Sequence, residues 1–180
     1  MSIITSRQEQ EQLLVGLAEQ SRSQYFGKYR GIVEENNDSD NLGRIKAKVP
    51  EIYGDEQVSP WAWPVVPFAG QAHGLVLLPE VGDGVWMEFE AGDPSRPLWT
   101  GCWWASGEMP TVGKTDSRVL VTSGGHQIIL DDGNQELKLV HSGGAEIKMT
   151  NTEITLKISS KQIKISAAGV DINNSAFKVT

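Results

Sequence analysis

Apolar residues in the last third of the chain fall in pairs two apart, and the pairs recur every seven to ten residues: Val119/Val121, Ile128/Leu130, Leu137/Leu139, Ile147/Met149, Ile154/Leu156 (extended by Ile158), Ile163/Ile165, Val170/Ile172 and Phe177/Val179. The residue inside each pair is mostly polar or charged, as at Lys138, Lys148, Thr155, Lys164, Asp171 and Lys178. The pattern predicts eight successive short strands, each with one face fit for a core and one for water. Turn formers fill the gaps, as in Asp132-Gly133-Asn134 and Ser142-Gly143-Gly144. No helix-period segment interrupts the series.

Strands with two or three inward side chains and no covering helix cannot bury enough apolar area to offset the ordering of their backbone. A repeat that buries its face only against neighbouring repeats marks a solenoid, and this spacing is too short for leucine-rich or helical repeats, which need about 20 residues. The pattern therefore predicts that residues 119–180 form a β-helix in which three chains wind round one axis as an intertwined triangular prism. At the ~4.7 Å interstrand spacing, one layer per strand gives a shaft roughly 40 Å long. Stiffness is expected from interchain hydrogen bonds closing every layer around a dry interior. The predicted trimer core is Ile128, Leu130, Leu137, Leu139, Ile147, Met149, Ile154, Leu156, Ile163, Ile165, Val170 and Ile172.

Upstream, Ser6-Arg7-Gln8-Glu9 matches a capping box, and Leu13, Leu14, Leu17 and Ala18 share one side of the helix it would start, which ends near Ser21-Arg22-Ser23. Residues 1–24 thus read as a helical segment whose stripe Leu13, Leu14, Leu17 docks on a partner or on its own domain. From Tyr25 the period becomes two. Arg44, Lys46 and Lys48 point one way while Ile45, Ala47 and Val49 point the other, and Pro50 stops the strand. Further strands are predicted at 61–66, 74–78, 84–90 and 97–103. Several short strands with no helical period suggest a small closed barrel such as an OB-fold over 25–104, with 105–118 as a linker. The fold class is all-β with a short N-terminal helix.

Charge divides the chain at the same place. Residues 1–118 carry ten Lys/Arg against seventeen Asp/Glu, net −7, and residues 119–180 carry six of each. A shaft without net charge lets its chains approach closely. All six Trp and all eight Pro also lie before residue 118, and the Trp side chains are expected to form barrel core and trimer contacts. One cysteine, Cys102, excludes an intrachain disulfide framework and is expected to be a buried small apolar residue. Neither a secretory signal nor an apolar run of the ~18 to 20 residues needed to cross a bilayer is visible, so folding in the cytoplasm is expected.

The stretch Gly27-Lys28-Tyr29-Arg30-Gly31-Ile32-Val33, a polar loop, then Gly43-Arg44-Ile45-Lys46-Ala47-Lys48-Val49-Pro50 resembles the opening of the OB-fold domain in phage baseplate assembly protein V and type VI secretion VgrG spikes. Trp61-Ala62-Trp63-Pro64, Leu78-Pro79-Glu80-Val81-Gly82-Asp83-Gly84-Val85-Trp86, Gly92-Asp93-Pro94-Ser95-Arg96-Pro97 and Gly125-His126-Gln127-Ile128-Ile129-Leu130-Asp131-Asp132 continue the likeness in order. The resemblance implies a structural, non-enzymatic central spike in a phage virion tail baseplate or a contractile injection particle. Its homotrimeric shaft would puncture the target envelope and join a hub protein to a separate tip.

Departures from that family shape the expectation further. Residues 105–116 leave no room for the lysozyme domain of large-phage spikes, about 24 residues precede the barrel where VgrG proteins have hub-like domains, and the chain does not close on a metal-holding His-x-His. A blunt end is expected, with Phe177, Val179 and Thr180 as the docking platform for a PAAR-like tip protein.

Catalysis finds no support. Asp131-Asp132 beside His126 reads as turn chemistry, His73 and His141 as isolated residues without ligand-spaced partners, and the pairs Glu34/Glu35 and Glu88/Glu90 as solvated faces. No cofactor or metal is expected. Nucleic-acid binding is the rival reading, through Arg44, Lys46, Lys48 and the Trp residues, but net −7 on the same domain opposes phosphate binding. Arg44, Lys46 and Lys48 are expected instead to face a neighbouring acidic barrel or the hub.

Overall fold

The computed structural model describes residues 7–174 and 176–179; Ser6 of the predicted capping box and Thr180 of the predicted tip platform lie outside them. The chain divides into two compact units, Met1–Gly107 and Glu108–Thr180.

In the first unit, α1 (Arg7–Arg22) is followed by β1 (Tyr29–Glu35), β2 (Lys46–Lys48), the short α2 (Pro50–Tyr53), β3 (Trp63–Pro64), β4 (Ala69–Gly70), β5 (His73–Gly74), β6 (Gly84–Phe89) and β7 (Pro97–Trp103). The main sheet runs β2-β1-β6-β7-β3, antiparallel except for β3 against β7. Backbone bridges from Ile45 to Ala62 and from Lys48 to Val58 join the segment before β3 back to β2, so the five strands close into a barrel. Period-two alternation puts Val33, Ile45, Ala47, Val49, Val85 and Met87 inside at 1% exposure or less, with Ala62 and Trp99 completing the core. Two predicted strands fall short. The 61–66 strand is only Trp63–Pro64, and 74–78 is irregular beyond the two-residue β4–β5 hairpin. The run Leu75-Val76-Leu77-Leu78 has strand-like composition but no free sheet edge, since β1, β6 and β7 are already paired on both sides.

The second unit is an eight-stranded antiparallel meander: β8 (Ser117–Val121), β9 (Gln127–Asp131), β10 (Glu136–Val140), β11 (Glu146–Met149), β12 (Glu153–Ile158), β13 (Lys161–Ser166), β14 (Gly169–Ile172) and β15 (Phe177–Val179). It begins at Ser117, two residues before the predicted boundary. Each strand bonds to its chain neighbours, so the ladder lies within one protomer. The hydrogen bonds expected between chains are thus largely satisfied inside the chain, and what a partner can supply is side-chain packing.

Candidate assembly surface

Register turns the paired residues of the second unit into two continuous columns on one face. One runs Leu120, Ile128, Leu139, Ile147, Leu156, Ile163, Ile172, Phe177 from strand to strand. The other runs Leu130, Leu137, Met149, Ile154, Ile165, Val170, Val179. Every residue assigned from sequence to the trimer core lies on this face. The first strand corrects the reading, because Val119 and Val121 pair with Ile129 and Gln127 on the opposite face, while Leu120 meets Ile128 and Arg118 meets Leu130. Three consecutive apolar residues in Val119-Leu120-Val121 left the phase of β8 undetermined by alternation.

Within one protomer the apolar face is the open one. Ile128, Leu130, Leu139, Leu156, Ile163 and Ile165 are all 40–45% exposed. An open groove lined by Leu139, Ile147, Leu156, Ile163 and Ile172 runs along the first column. A contiguous apolar strip of this extent marks an interaction surface. The opposite face is held by ion pairs. Glu136 bonds Lys138 at 2.5 Å and Lys148 at 2.7 Å, and Glu153 meets Lys164 at 3.0 Å. These lysines, Lys138 foremost, hold the Glu136 carboxyl below its usual range, and Glu136 in turn raises Lys148.

The residues weighed for chemistry resolve into local structure. Asp131 accepts hydrogen bonds from the Asn134 backbone N–H and side-chain amide, both at 2.9 Å, which lowers its carboxyl below the ordinary value. His126 and His141 are not isolated, since the β9–β10 register brings their rings to 4.5 Å between centroids. The Ser142 backbone N–H donates to His126 Nδ1 and the Gly143 N–H to His141 Nδ1, so both imidazoles brace one turn. His73 stacks on Phe68. Among the described residues no group of three or more His, Cys, Asp or Glu could hold a metal ion.

On the barrel, Arg44 donates to Asp38 through Nε at 3.0 Å and Nη2 at 2.6 Å, and reaches Asp40 at 2.5 Å, while its guanidinium lies 5.6 Å and 5.5 Å from the Trp61 and Trp63 rings. Asp38 also accepts the backbone N–H groups of Asp40, Leu42 and Arg44. Arg44 above all holds the Asp38 carboxyl far below its ordinary value, against the opposing effect of burial. Lys46 pairs with Glu35 at 2.6 Å and Lys48 with Glu34 at 3.2 Å. The acidic groups expected on a neighbour for these three cations are therefore supplied by the same barrel. Only Trp99 of the six Trp is buried in the core. Trp61 and Trp63 flank Arg44, Trp86 and Trp103 flank Arg30, and Trp104 is 64% exposed. Cys102 is exposed, contrary to the expected burial, although it pairs with the buried Val85 across β6 and β7. The stripe Leu13, Leu14, Leu17 on α1 is exposed rather than docked on its own barrel, at 55–67%.

Residues 29–104 match the type VI secretion system and phage-baseplate injector OB domain, and residues 117–178 match the phage baseplate V C-terminal trimerisation domain. The chain belongs to the baseplate V and VgrG-like family of spike proteins. Among similar proteins, the actin cross-linking toxin VgrG1 of Vibrio cholerae serotype O1 is 30% identical over 112 residues, covering 59% of this chain and 10% of that protein. The type VI secretion system spike protein VgrG4b of Pseudomonas aeruginosa is 35% identical over 66 residues, covering 35% of this chain and 8% of that protein. The chain thus spans about a tenth of the length of these relatives. The baseplate V matches agree with the family and the all-β fold read from sequence, and the trimerisation domain supports a homotrimer. The family's role is structural, in a phage or injection-system tail.

Proposed function

We propose that the chain is a structural spike subunit of a contractile tail or injection particle, assembled in the host cytoplasm. Three protomers lay their apolar columns together, each sheet forming one side of a three-sided shaft. The observation that carries this reading is the pair of columns that stay apolar from β9 to β15, with most of their members exposed in a single chain. Stiffness then comes from intrachain ladders locked by interchain packing, and the shaft transmits axial force to puncture an envelope. Among the described residues no helix is long and apolar enough to cross a membrane.

The exposed stripe of α1 supports docking on a hub protein. Phe177 and Val179, at 60% and 53% exposed, are the most open members of their columns and support contact with a PAAR-like tip. Negative-stain images of the purified protein test the reading: a rod carrying globular heads supports it, and isolated compact particles contradict it. Nucleic-acid binding is not favoured, because Arg44, Lys46 and Lys48 already have carboxylate partners.

A further inference from the structure

The barrel carries one apolar surface that its own core does not use. Between β3 and β6 the chain exposes Val65 (51%), Phe68 (57%), Val76 (77%), Leu77 (52%) and Val81 (60%), with Leu75 and Leu78 above 40%. The segment is pinned at its base. The Val65 N–H donates to the Trp99 carbonyl at 2.9 Å, and the Asn36 side-chain amide donates to the Pro79 carbonyl at 2.9 Å. Between these anchors the two-residue β4–β5 hairpin, the Leu75 N–H to Phe68 carbonyl bond, the contact of His73 Nδ1 with the Gln71 carbonyl at 3.0 Å and the Phe68–His73 stack give it order. A hairpin of that size does not persist in water without something packed on it. Single exposed apolar residues are commonplace, but here seven fall within seventeen residues, and the hairpin brings Phe68 beside Leu75.

Charge narrows the occupant. Residues 65–79 contain no Asp, Glu, Lys or Arg, in a region of the chain that carries net −7. Copies of such a region repel one another except where no charge lies at the contact. The trimerisation domain supports three copies in one particle, and the thirteen residues between β7 and β8 tether each barrel to it within roughly 45 Å of fully extended chain. Tethering makes barrel–barrel association intramolecular, at effective concentrations on the order of millimolar.

We infer that the 65–81 segment is a second self-association surface, by which the barrels of the homotrimer pack on one another; the inference rests on the trimer proposed above. The occupant is the same segment, uncharged over residues 65–79, or the barrel wall beside it, on a second copy of this chain.

The test uses the full-length protein and hydroxyl-radical footprinting read by mass spectrometry. Light scattering first establishes the mass, so that failure of the trimer itself is seen separately. In the trimer, oxidation of the peptide spanning Phe68 to Val81 should be at least about three-fold slower than in a variant monomerised through the shaft, Leu156→Asp with Ile165→Asp. Val76→Asp with Leu77→Asp, at exposed positions that burden no core, should keep the trimeric mass and raise oxidation of Phe68 and Leu75 to the monomer's rate. Equal oxidation in trimer and monomer overturns the inference. So does protection that appears only when a hub protein is added, which would make the segment a hub-docking surface.

Discussion

Leu156 lies directly opposite Ile163 across the β12–β13 ladder, both on the face shared with Ile147 and Ile172, yet Leu156 remains 42% exposed in a single chain. Hydrogen bonding is complete around it while packing is not. Leu156→Asp combined with Ile165→Asp should therefore leave the meander's ladder intact but yield monomers at micromolar concentration, because three unpaired carboxylates would be buried in each affected layer. Sedimentation velocity reads the outcome, and trimers of unchanged thermal stability would show that this face is not the interior.

Gly84 sits where β6 passes under Trp103, and a Cβ there would lie 2.5 Å from the indole and 2.8 Å from the Trp103 carbonyl. Gly84→Ala should destabilise the barrel by about 1–3 kcal/mol through overpacking. Urea unfolding followed by Trp fluorescence measures it, and an unchanged midpoint would mean that β7 yields without cost.

Asp38 gives the barrel an acid limb. Its carboxyl is held below the ordinary value of about 4 by Arg44 and by three backbone N–H groups, so the folded state binds a proton more weakly than the unfolded state. The stabilisation is fully present above that ordinary value and is lost progressively as pH falls below it toward the lower folded-state value. Asp38→Asn should lower stability at neutral pH and flatten the decline below about pH 4. Thermal melts between pH 2 and pH 7 should show the wild-type and variant curves converging in acid; parallel curves would contradict the assignment.

Phe177 and Val179 close the two columns at β15. Phe177→Ser with Val179→Ser should retain trimers, since most of each column is untouched, and should weaken capture of a PAAR-like tip protein by at least about ten-fold. Undiminished capture in a pulldown would move tip docking elsewhere.

The eight-stranded meander was legible in the sequence because alternation with period two, punctuated by Gly, Ser, Asn and Asp, specifies both strand and face. Its phase failed only in β8, where Arg118-Val119-Leu120-Val121 offers two possible apolar faces and pairing with β9 decides between them. The barrel core was legible at Ile45, Ala47 and Val49 for the same reason. What lay hidden depends on long-range contact. The Leu75–Leu78 run shows strand composition without a partner edge, and the carboxylates that hold Arg44, Lys46 and Lys48 come from the loop and strand just before them. The His126–His141 contact was discoverable once β9 and β10 were aligned, since each histidine stands one step beyond the Gln127–Val140 pair.

The most direct measurement is the solution mass of the purified full-length protein by multi-angle light scattering. Three times the 19.7 kDa chain mass is the predicted result, and a concentration-independent mass equal to one chain would contradict the account.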